Sequence, residues 1–213
     1  MTCCTPKGYD RLFGRRTARR DAKRYRRRGL DEDAARMVAF LRERGLEGAT
    51  VLEIGGGVGA IEIELLAAGA ERATITELSP SYEEPAAELA REHGLEERIE
   101  RRLGDVVEDG ALAGEADAVV MHRVVCCYPD PEALVGAAAE RARRHLVLTF
   151  PREQRLIRAG AAVMNAAFRL LRWDYRTYIH PVATILAAAE GRGLRLADEH
   201  HGRFWQVAAL ERP

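Results

Sequence analysis

The 213-residue sequence contains few cysteines and no long apolar run. Its four cysteines form two adjacent pairs, Cys3–Cys4 and Cys126–Cys127. This arrangement is not a disulfide framework, because neighbouring cysteines rarely bond each other. Adjacent cysteines also lack the two-residue spacer that is typical of metal ligands, so no metal site is predicted. We therefore expect a reducing compartment, which is the cytoplasm.

Membrane and secretory signals are also missing from the sequence. No apolar run reaches the roughly 18 residues that are needed to span a bilayer. The N-terminal residues lack the apolar segment of a secretory signal. With 47% hydrophobic and 31% charged residues, the composition is typical of a soluble globular protein, and the length suits one domain. We expect neither a membrane span nor secretion.

The chain has no net charge, but its charge is unevenly distributed. Residues 1–30 contain eleven basic and two acidic side chains, so this segment carries +9 and the remainder carries −9. A basic arm of this kind can bind a polyanion such as RNA, or it can dock on its own acidic body. Internal docking is favoured, because charged runs are usually solvated or paired within the protein.

Short apolar segments alternate with helical patterns from residue 51 onward. The pattern predicts strands near 51–54, 73–77, 98–103, 117–122 and 145–149, and helices near 58–68, 81–93 and 131–143. Alternation at this spacing forms βαβ units, which build a parallel sheet with helices on both faces. The run Ala118–Met121 is apolar at every position, as expected for a strand that is buried on both faces.

The segments outside this alternation complete the predicted architecture. We predict a basic helix over 9–28, a second helix over 31–44, helices over 153–172 and 181–191, and strands near 194–200 and 204–210. The last two strands form an antiparallel hairpin. The sequence therefore predicts a basic helical arm (1–30) and one doubly wound α/β domain (31–213). Its sheet has seven mostly parallel strands, and a helical lid is inserted at about 153–180.

A glycine-rich segment, Val51-Leu-Glu-Ile-Gly-Gly-Gly-Val-Gly59, follows the first predicted strand. Residues without a Cβ allow the backbone to approach a ligand closely and to adopt unusual dihedral angles. The next helix points its positive N-terminal end at the same place. Gly55, Gly57 and Ala60 also match the dinucleotide pattern G-x-G-x-x-A, so a nicotinamide or flavin enzyme is an alternative.

Glu53 distinguishes the two cofactor types. A buried carboxylate at the end of the strand would repel a pyrophosphate, but it suits a ligand that carries an ammonium group. Glu53-x-Gly55-x-Gly57-x-Gly59 resembles the Asp/Glu-x-Gly-x-Gly-x-Gly motif of class I S-adenosylmethionine-dependent methyltransferases. The resemblance covers about 31–213 and includes Glu77, the pair Gly104–Asp105 and the strand Asp117–His122.

The resemblance implies a Rossmann-like methyltransferase fold and a role for each matching residue. Glu53 and the glycines would hold the methionine part of the cofactor, Glu77 the ribose hydroxyls and Asp105 the adenine amino group. The implied cofactor site comprises Glu53, Ile54, Gly55, Gly56, Gly57, Gly59, Glu77, Leu78, Asp105, Val106 and His122. From the residues alone, Gly56 is also compatible with relief of crowding, Glu77 with a surface acid and Asp105 with the cap of a helix near 106–113.

The segment that leaves the fourth strand, 121–130, is where catalysis is expected, because ligands bind at the C-terminal ends of parallel strands. Methyl transfer from a sulfonium is an in-line displacement, so the enzyme mainly aligns the acceptor and excludes water. His122 is a candidate base, Tyr128 a candidate for orienting the acceptor, and His180, beside Tyr178, a further candidate. Alternatively, His122 satisfies loop backbone groups and Tyr128 packs.

The expected function is methyl transfer from S-adenosylmethionine to a small molecule, with S-adenosylhomocysteine as product. The segment after the fourth strand lacks the Asn/Asp-Pro-Pro-Tyr-like motif of enzymes that methylate nucleic-acid bases. An RNA methyltransferase that uses the arm, a nicotinamide oxidoreductase and a non-catalytic S-adenosylmethionine-binding regulator are the alternatives. The helix over 153–172, followed by Trp173 and Tyr175, fits a lid over the acceptor or an extra core or homodimer helix. Tyr9 and Phe13 are predicted to close over the cofactor.

Overall fold

The computed structural model describes residues 9–213, whose seven strands form a single sheet. The strands are β1 (Thr50–Ile54), β2 (Arg72–Glu77), β3 (Ile99–Leu103), β4 (Ala116–His122), β5 (Ala142–Pro151), β6 (Arg195–His201) and β7 (Trp205–Glu211). They lie in the order β3-β2-β1-β4-β5-β7-β6. Strands β1 to β5 are parallel, and β7 runs antiparallel to both β5 and β6. The predicted seven-stranded, mostly parallel sheet with a C-terminal antiparallel hairpin is confirmed.

Eight α-helices surround the sheet in the described part of the chain. They are α1 (Tyr9–Leu12), α2 (Arg15–Arg28), α3 (Glu32–Glu43), α4 (Ala60–Ala67), α5 (Glu83–Glu92), α6 (Pro131–Arg141), α7 (Arg155–Leu170) and α8 (Val182–Glu190). The Cys3–Cys4 pair and the first eight residues of the predicted arm lie outside the described residues. Within residues 9–213, no helix has the length and apolar character needed to cross a membrane.

Two sequence-based expectations about helices need correction. The basic helix predicted over 9–28 is two helices, because Gly14 has an extended backbone (φ −80°, ψ 179°) that ends α1 and begins α2. The alternative helix near 106–113 does not form. Instead, Asp105 Oδ1 accepts a hydrogen bond from the Val107 amide at 2.9 Å, which closes a turn. In the first case the backbone of Gly14 interrupts the helix, and in the second the Asp105 side chain closes a turn. The apolar pattern of the sequence shows neither effect.

The sheet separates two apolar cores, and successive residues of β4 point into each in turn. Ala118 and Val120 pack with side chains of α2, α3, α4 and α5, whereas Val119 and Met121 pack with those of α6 and α8. These four β4 side chains are at most 1% exposed. The connection after β1 therefore enters one layer and the connection after β4 enters the other. In doubly wound sheets, such a divergence between neighbouring strands opens a crevice at their C-terminal ends.

Helix α7 stands apart from both cores. Ile157 is its only buried residue. Helix α7 is therefore not the extra core helix that was one of the alternatives for this segment. The loop after α7 returns to the domain, where the Tyr178 amide donates to the carbonyl of Cys126 at 2.7 Å.

A pair of leucine substitutions tests this description of the core. Leu148 is fully buried in β5, whereas Leu156 in α7 is 85% exposed. We expect Leu148→Ala to lower the free energy of unfolding by about 2–5 kcal/mol, because it leaves a cavity. Leu156→Ala should change it by less than about 0.5 kcal/mol. Urea denaturation measures both values, and equal losses for the two variants would contradict the assigned core.

Candidate active site

A cavity of about 450 Å³ lies at the C-terminal ends of β1, β2, β3 and β4. Ten of the eleven residues predicted to contact the cofactor line it: Glu53, Ile54, Gly55, Gly56, Gly57, Glu77, Leu78, Asp105, Val106 and His122. Gly59 is not among the lining residues; it has φ 76° and caps the N-terminus of α4. The requirement for glycine at position 59 is thus conformational. One cavity receives residues from four strand ends, as the sheet topology requires.

Glycine is needed in this loop for two different reasons, which are backbone conformation and space. Gly55 (φ 72°) and Gly57 (φ 53°) occupy the left-handed region that favours glycine. Gly56 is needed for space, because a Cβ there would lie 2.6 Å from Ile75 Cγ2 and 2.8 Å from Glu53 Oε2. Relief of crowding therefore does apply to Gly56, which also lines the cavity.

Glu77 is held in place by backbone amides of the two loops that it joins. Its Oε2 accepts a hydrogen bond from Gly57 at 2.9 Å, and its Oε1 accepts from Leu78 and Ser79 at 2.8 and 2.9 Å. These bonds fix the carboxylate at the cavity wall, next to the glycine loop. An ionised carboxylate offers about four acceptor positions, so the oriented group retains capacity for a hydroxyl donor.

Glu53 is paired with a second acid, Glu62 of α4, which sequence reasoning missed. Both side chains are buried, at 3% and 0% exposure. Burial raises the pKa of Glu53 well above its ordinary value, and the neighbouring Glu62 raises it further. Burial likewise raises the pKa of Glu62, while the Arg101 guanidinium opposes both shifts. Both shifts favour a pair that keeps a proton to higher pH than exposed glutamates do. A glutamate inside the apolar run Ile61–Ile63 was the available signal.

His122 and its neighbours form a hydrogen-bonded network at the end of β4. Thr149 Oγ1 accepts the Arg123 amide at 2.8 Å and lies 3.0 Å from His122 Nδ1. His122 Nε2 lies 3.3 Å from Asp31 Oδ2 and donates to it, because an ionised carboxylate only accepts. Although burial opposes it, hydrogen bonds and positive charge from His122, the Ala34 amide and Arg123 hold the pKa of Asp31 well below its usual range. Both ring nitrogens of His122 are thus engaged.

Tyr128 and His180, the other two candidate catalytic residues, occupy different positions. Tyr128 lines the cavity, and its hydroxyl donates to Asp105 Oδ2 at 3.1 Å. His180 does not line the cavity. Its Nε2 lies 2.9 Å from the Tyr128 carbonyl, and its ring stacks on Tyr178 with centroids 5.4 Å apart. The geometry brings Tyr128 to the cavity and places His180 behind it.

The basic arm forms part of the cavity wall. Tyr9, Leu12, Phe13, Thr17, Arg20, Asp21, Arg24 and Tyr25 all line the cavity. The Tyr9 hydroxyl donates to the Cys127 carbonyl at 2.6 Å, and Ser79 Oγ donates to the Phe13 carbonyl at 2.9 Å. The rings of Tyr9 and Phe13 contact Tyr175 at 5.7 and 5.9 Å. Tyr9 and Phe13 therefore line the cavity, and their closure over the cofactor stays a prediction.

The arm also pairs with acids of the domain, as the internal-docking interpretation expected. Arg26 bonds both Glu92 and Glu88 of α5, with a shortest distance of 2.7 Å to Glu92. Asp21 accepts a hydrogen bond from the Tyr82 hydroxyl at 3.2 Å. Exposed ion pairs of this kind stabilise little individually. The buried Ala18, Ala22 and Tyr25 of α2 contribute the apolar part of the contact.

The adjacent cysteines after β4 are free thiols 3.8 Å apart. Cys127 lines the cavity, and its Sγ lies 3.1 Å from the Tyr175 hydroxyl. Cys127 thus contacts Tyr9 of the arm through its carbonyl and Tyr175 of the loop after α7 through its thiol. Among residues 9–213, no group of three or more His, Cys, Asp or Glu side chains is arranged to hold a metal ion.

The sheet order, the glycine loop after β1 and the fixed acid after β2 define a class I S-adenosylmethionine-dependent methyltransferase. A family model described as a methyltransferase domain matches residues 23–212. The chain belongs to this family. It is therefore an enzyme of the methyltransferase class, whose methyl donor is S-adenosylmethionine.

Three solved structures show how far the fold is shared. The magnesium protoporphyrin IX methyltransferase of Synechocystis PCC 6803 with bound S-adenosylhomocysteine is 24% identical, with a TM-score of 0.68 over 84% of this chain and 82% of that chain. An O-methyltransferase family protein from Burkholderia thailandensis is 17% identical, with a TM-score of 0.72 over 97% and 63%. Geranyl diphosphate C-methyltransferase from Streptomyces coelicolor A3(2), in complex with Mg²⁺, geranyl diphosphate and S-adenosylhomocysteine, is 15% identical, with a TM-score of 0.67 over 84% and 79%.

The buried acid pair predicts a pH-dependent cost to stability. Well below pH 4.5, both acids are protonated in the folded and unfolded states. Above it, the unfolded state ionises while the folded pair retains a proton, so stability falls as pH rises toward the raised pKa. We expect Glu62→Gln to be more stable than the natural protein at pH 8, by about 1 kcal/mol or more, with a smaller difference at pH 5.

Denaturant titrations between pH 5 and 8 measure this difference between the two proteins. The exposed Glu97 provides the matched control, and Glu97→Gln should leave the pH profile unchanged. Identical profiles for the natural protein and Glu62→Gln would show that Glu62 is ionised in the folded state.

The aromatic wall from the arm yields a second prediction. Phe13→Ala removes one cavity-lining ring and should weaken binding of S-adenosylhomocysteine by about tenfold, because the site opens to water. Phe204 is 55% exposed and does not line the cavity, so Phe204→Ala should bind normally. Calorimetry measures both affinities, and unchanged binding by Phe13→Ala rejects closure of the site by the arm. A point variant is preferable to deletion of 1–28, which would remove the buried Ala18 and Ala22 and expose the core against which they pack.

Proposed function

We propose that the protein transfers a methyl group from S-adenosylmethionine to a small-molecule acceptor by in-line displacement and releases S-adenosylhomocysteine. The observation that carries this proposal is the cavity that collects the glycine loop, Glu53, Glu77 and Asp105 from three neighbouring strand ends. Membership of the methyltransferase family indicates the class of reaction, and the cavity is the proposed location of that reaction.

The methionine part of the cofactor fits beside the glycine loop. Glu53 lines the cavity, and its buried Oε2 has no hydrogen-bond donor among the described residues. A buried carboxyl without a donor favours a ligand that brings one, and the ammonium of S-adenosylmethionine does so. The positive charge of that group would also favour ionisation of Glu53, which the burial opposes.

The nucleoside part fits along the next two strand ends. Glu77, held by three backbone amides, would accept hydrogen bonds from the ribose hydroxyls. Asp105 would accept the adenine amino group, while Tyr128 fixes the orientation of that carboxylate from the other side. Ile54, Leu78 and Val106 give this part of the cavity its apolar surface. The glycine at 59 contributes by shaping the start of α4.

The acceptor would approach the methyl group from the end of β4 and the arm. Tyr9, Phe13 and Cys127 make this side largely apolar, and they exclude water from the reacting atoms. His122 is oriented by Thr149 and Asp31, so its ring positions groups at the acceptor side and acts as a base only if it leaves Asp31. Tyr128 lines the same region, and His180 supports it from behind. Catalysis then rests mainly on alignment.

A small-molecule acceptor is favoured over RNA because the arm is committed to the cavity wall and to the acids of α5. The proteins of similar fold named above include methyltransferases for magnesium protoporphyrin IX and geranyl diphosphate, both small molecules. A nicotinamide cofactor is disfavoured by the buried Glu53 beside the glycine loop. A regulator that only binds S-adenosylmethionine would share the same cavity and is distinguished by the absence of methylated product.

Calorimetric titration with S-adenosylhomocysteine, NAD and NADP tests the cofactor assignment. We expect S-adenosylhomocysteine to bind and the two dinucleotides not to bind. Glu77→Gln should weaken this binding by about tenfold or more, since a hydrogen bond to a charged group is lost. Glu97→Gln is the matched control and should bind normally. Binding of NAD without S-adenosylhomocysteine overturns the proposal. Mass spectrometry of small-molecule mixtures incubated with S-adenosylmethionine then identifies the acceptor.

A further inference from the structure

Helix α7 carries an apolar face that no other part of the described chain covers. Leu156, Val163 and Leu170 are spaced by seven residues, so they lie on one side of the helix. Their exposures are 85%, 71% and 85%, and the neighbouring Met164 and Leu171 are 42% and 58% exposed. A contiguous row of large exposed apolar side chains is unusual on a protein surface and marks an interaction site.

The opposite side of α7 attaches the helix to the domain. Ile157 is buried, and Asn165 exchanges two hydrogen bonds with the backbone of Thr177, at 2.8 and 2.9 Å. Phe168 stacks on Trp173 and contacts Tyr175 edge-on. The helix is therefore held with its apolar face directed outward by specific contacts on its inner side.

The charges along α7 are all of one sign. The segment 155–172 contains Arg155, Arg158, Arg169 and Arg172 and no acidic residue. All four are exposed. Helical spacing places Arg155, Arg158 and Arg169 on one flank of α7, between its inner face and its outer apolar face, and Arg172 follows the end of the helix. Arg158 pairs with Glu153, whereas Arg155 and Arg169 form no ion pair with the described residues. The outer surface thus combines an apolar row with a basic border.

The described part of the basic arm approaches the inner side of this helix. Tyr175, which Phe168 contacts, also contacts Tyr9 and Phe13. These contacts lie on the side of α7 that faces away from the apolar row. The basic border of the apolar row is therefore formed by arginines of the segment 155–172 itself.

We propose that the outer face of α7 docks the protein on a membrane surface that contains anionic lipids. A helix with an apolar face and a basic border lies in the headgroup region, where the apolar row enters the acyl boundary and the arginines meet lipid phosphates. A second copy of the chain fits this surface less well. If two copies met through this surface, their 155–172 segments would bring eight arginines together. Neither segment contains an acidic residue that could pair with them.

Flotation of the full chain with lipid vesicles tests this docking surface. We expect binding to phosphatidylcholine vesicles that contain about one-third phosphatidylserine, with much weaker binding to phosphatidylcholine alone and to anionic vesicles in about 0.5 M NaCl. The triple variant Leu156→Ser, Val163→Ser, Leu170→Ser should lose more than tenfold in partitioning. The double variant Arg155→Gln, Arg169→Gln should lose about fivefold per arginine.

A matched control replaces exposed apolar residues elsewhere. Leu196 and Phe204 are 38% and 55% exposed in the C-terminal hairpin, and Leu196→Ser, Phe204→Ser should partition like the natural protein. Absence of binding to anionic vesicles overturns the proposal, as does binding that the triple variant retains. A stable dimer in analytical ultracentrifugation that the triple variant abolishes also overturns it, because the occupant would then be a second copy. These readouts do not depend on cofactor binding or methyl transfer.

Discussion

The divergence of the connections after β1 and β4 is the constraint on which the site depends. These strands are neighbours in the sheet, yet α4 enters one core and α6 the other. Because no connection crosses over the ends of the two strands, a crevice remains there. The loops after β2 and β3 extend it along the sheet. Each residue that we propose to contact the cofactor is thus positioned at a strand end, and the location of the cavity follows from the topology of the sheet.

Within that crevice, the fold retains a group that costs stability. Glu53 and Glu62 are buried together beneath the glycine loop, where burial raises the pKa of each. An apolar pair of similar volume would avoid this cost. Gly56 shows how closely the loop sits on the acid, since a Cβ there would overlap both Ile75 and Glu53. Strongly perturbed acids in a cleft are typical of functional sites, and the ammonium that we propose to bind at Glu53 carries the matching charge.

The sheet and the glycine loop that lines the cavity were predictable because they depend on local pattern. Residues 118–121 of β4 form a continuous apolar run, and the segment Val51–Gly59 specifies the end of a strand and a turn into a helix within nine residues. Glu62 was missed because the pattern of α4 does not reveal which face an acid occupies. The outward face of α7 was also not predictable, since its apolar periodicity is the same whether the row meets a core or the exterior. Only the tertiary contacts of Ile157 and Asn165 decide that orientation.

The arm shows how one basic segment can satisfy several demands at once. Its small residues Ala18 and Ala22 allow α2 to pack closely, so this helix is anchored by burial as well as by Arg26 and its acids. Helix α1 has only four residues, too few to be stable alone, and depends on the Tyr9 hydroxyl and the rings around Tyr175. The wall of the cavity is therefore firm along α2 and weakest at α1. Segments with few buried contacts open most readily. We therefore expect the opening that lets ligands exchange to require the least free energy where α1 meets Cys127 and Tyr175.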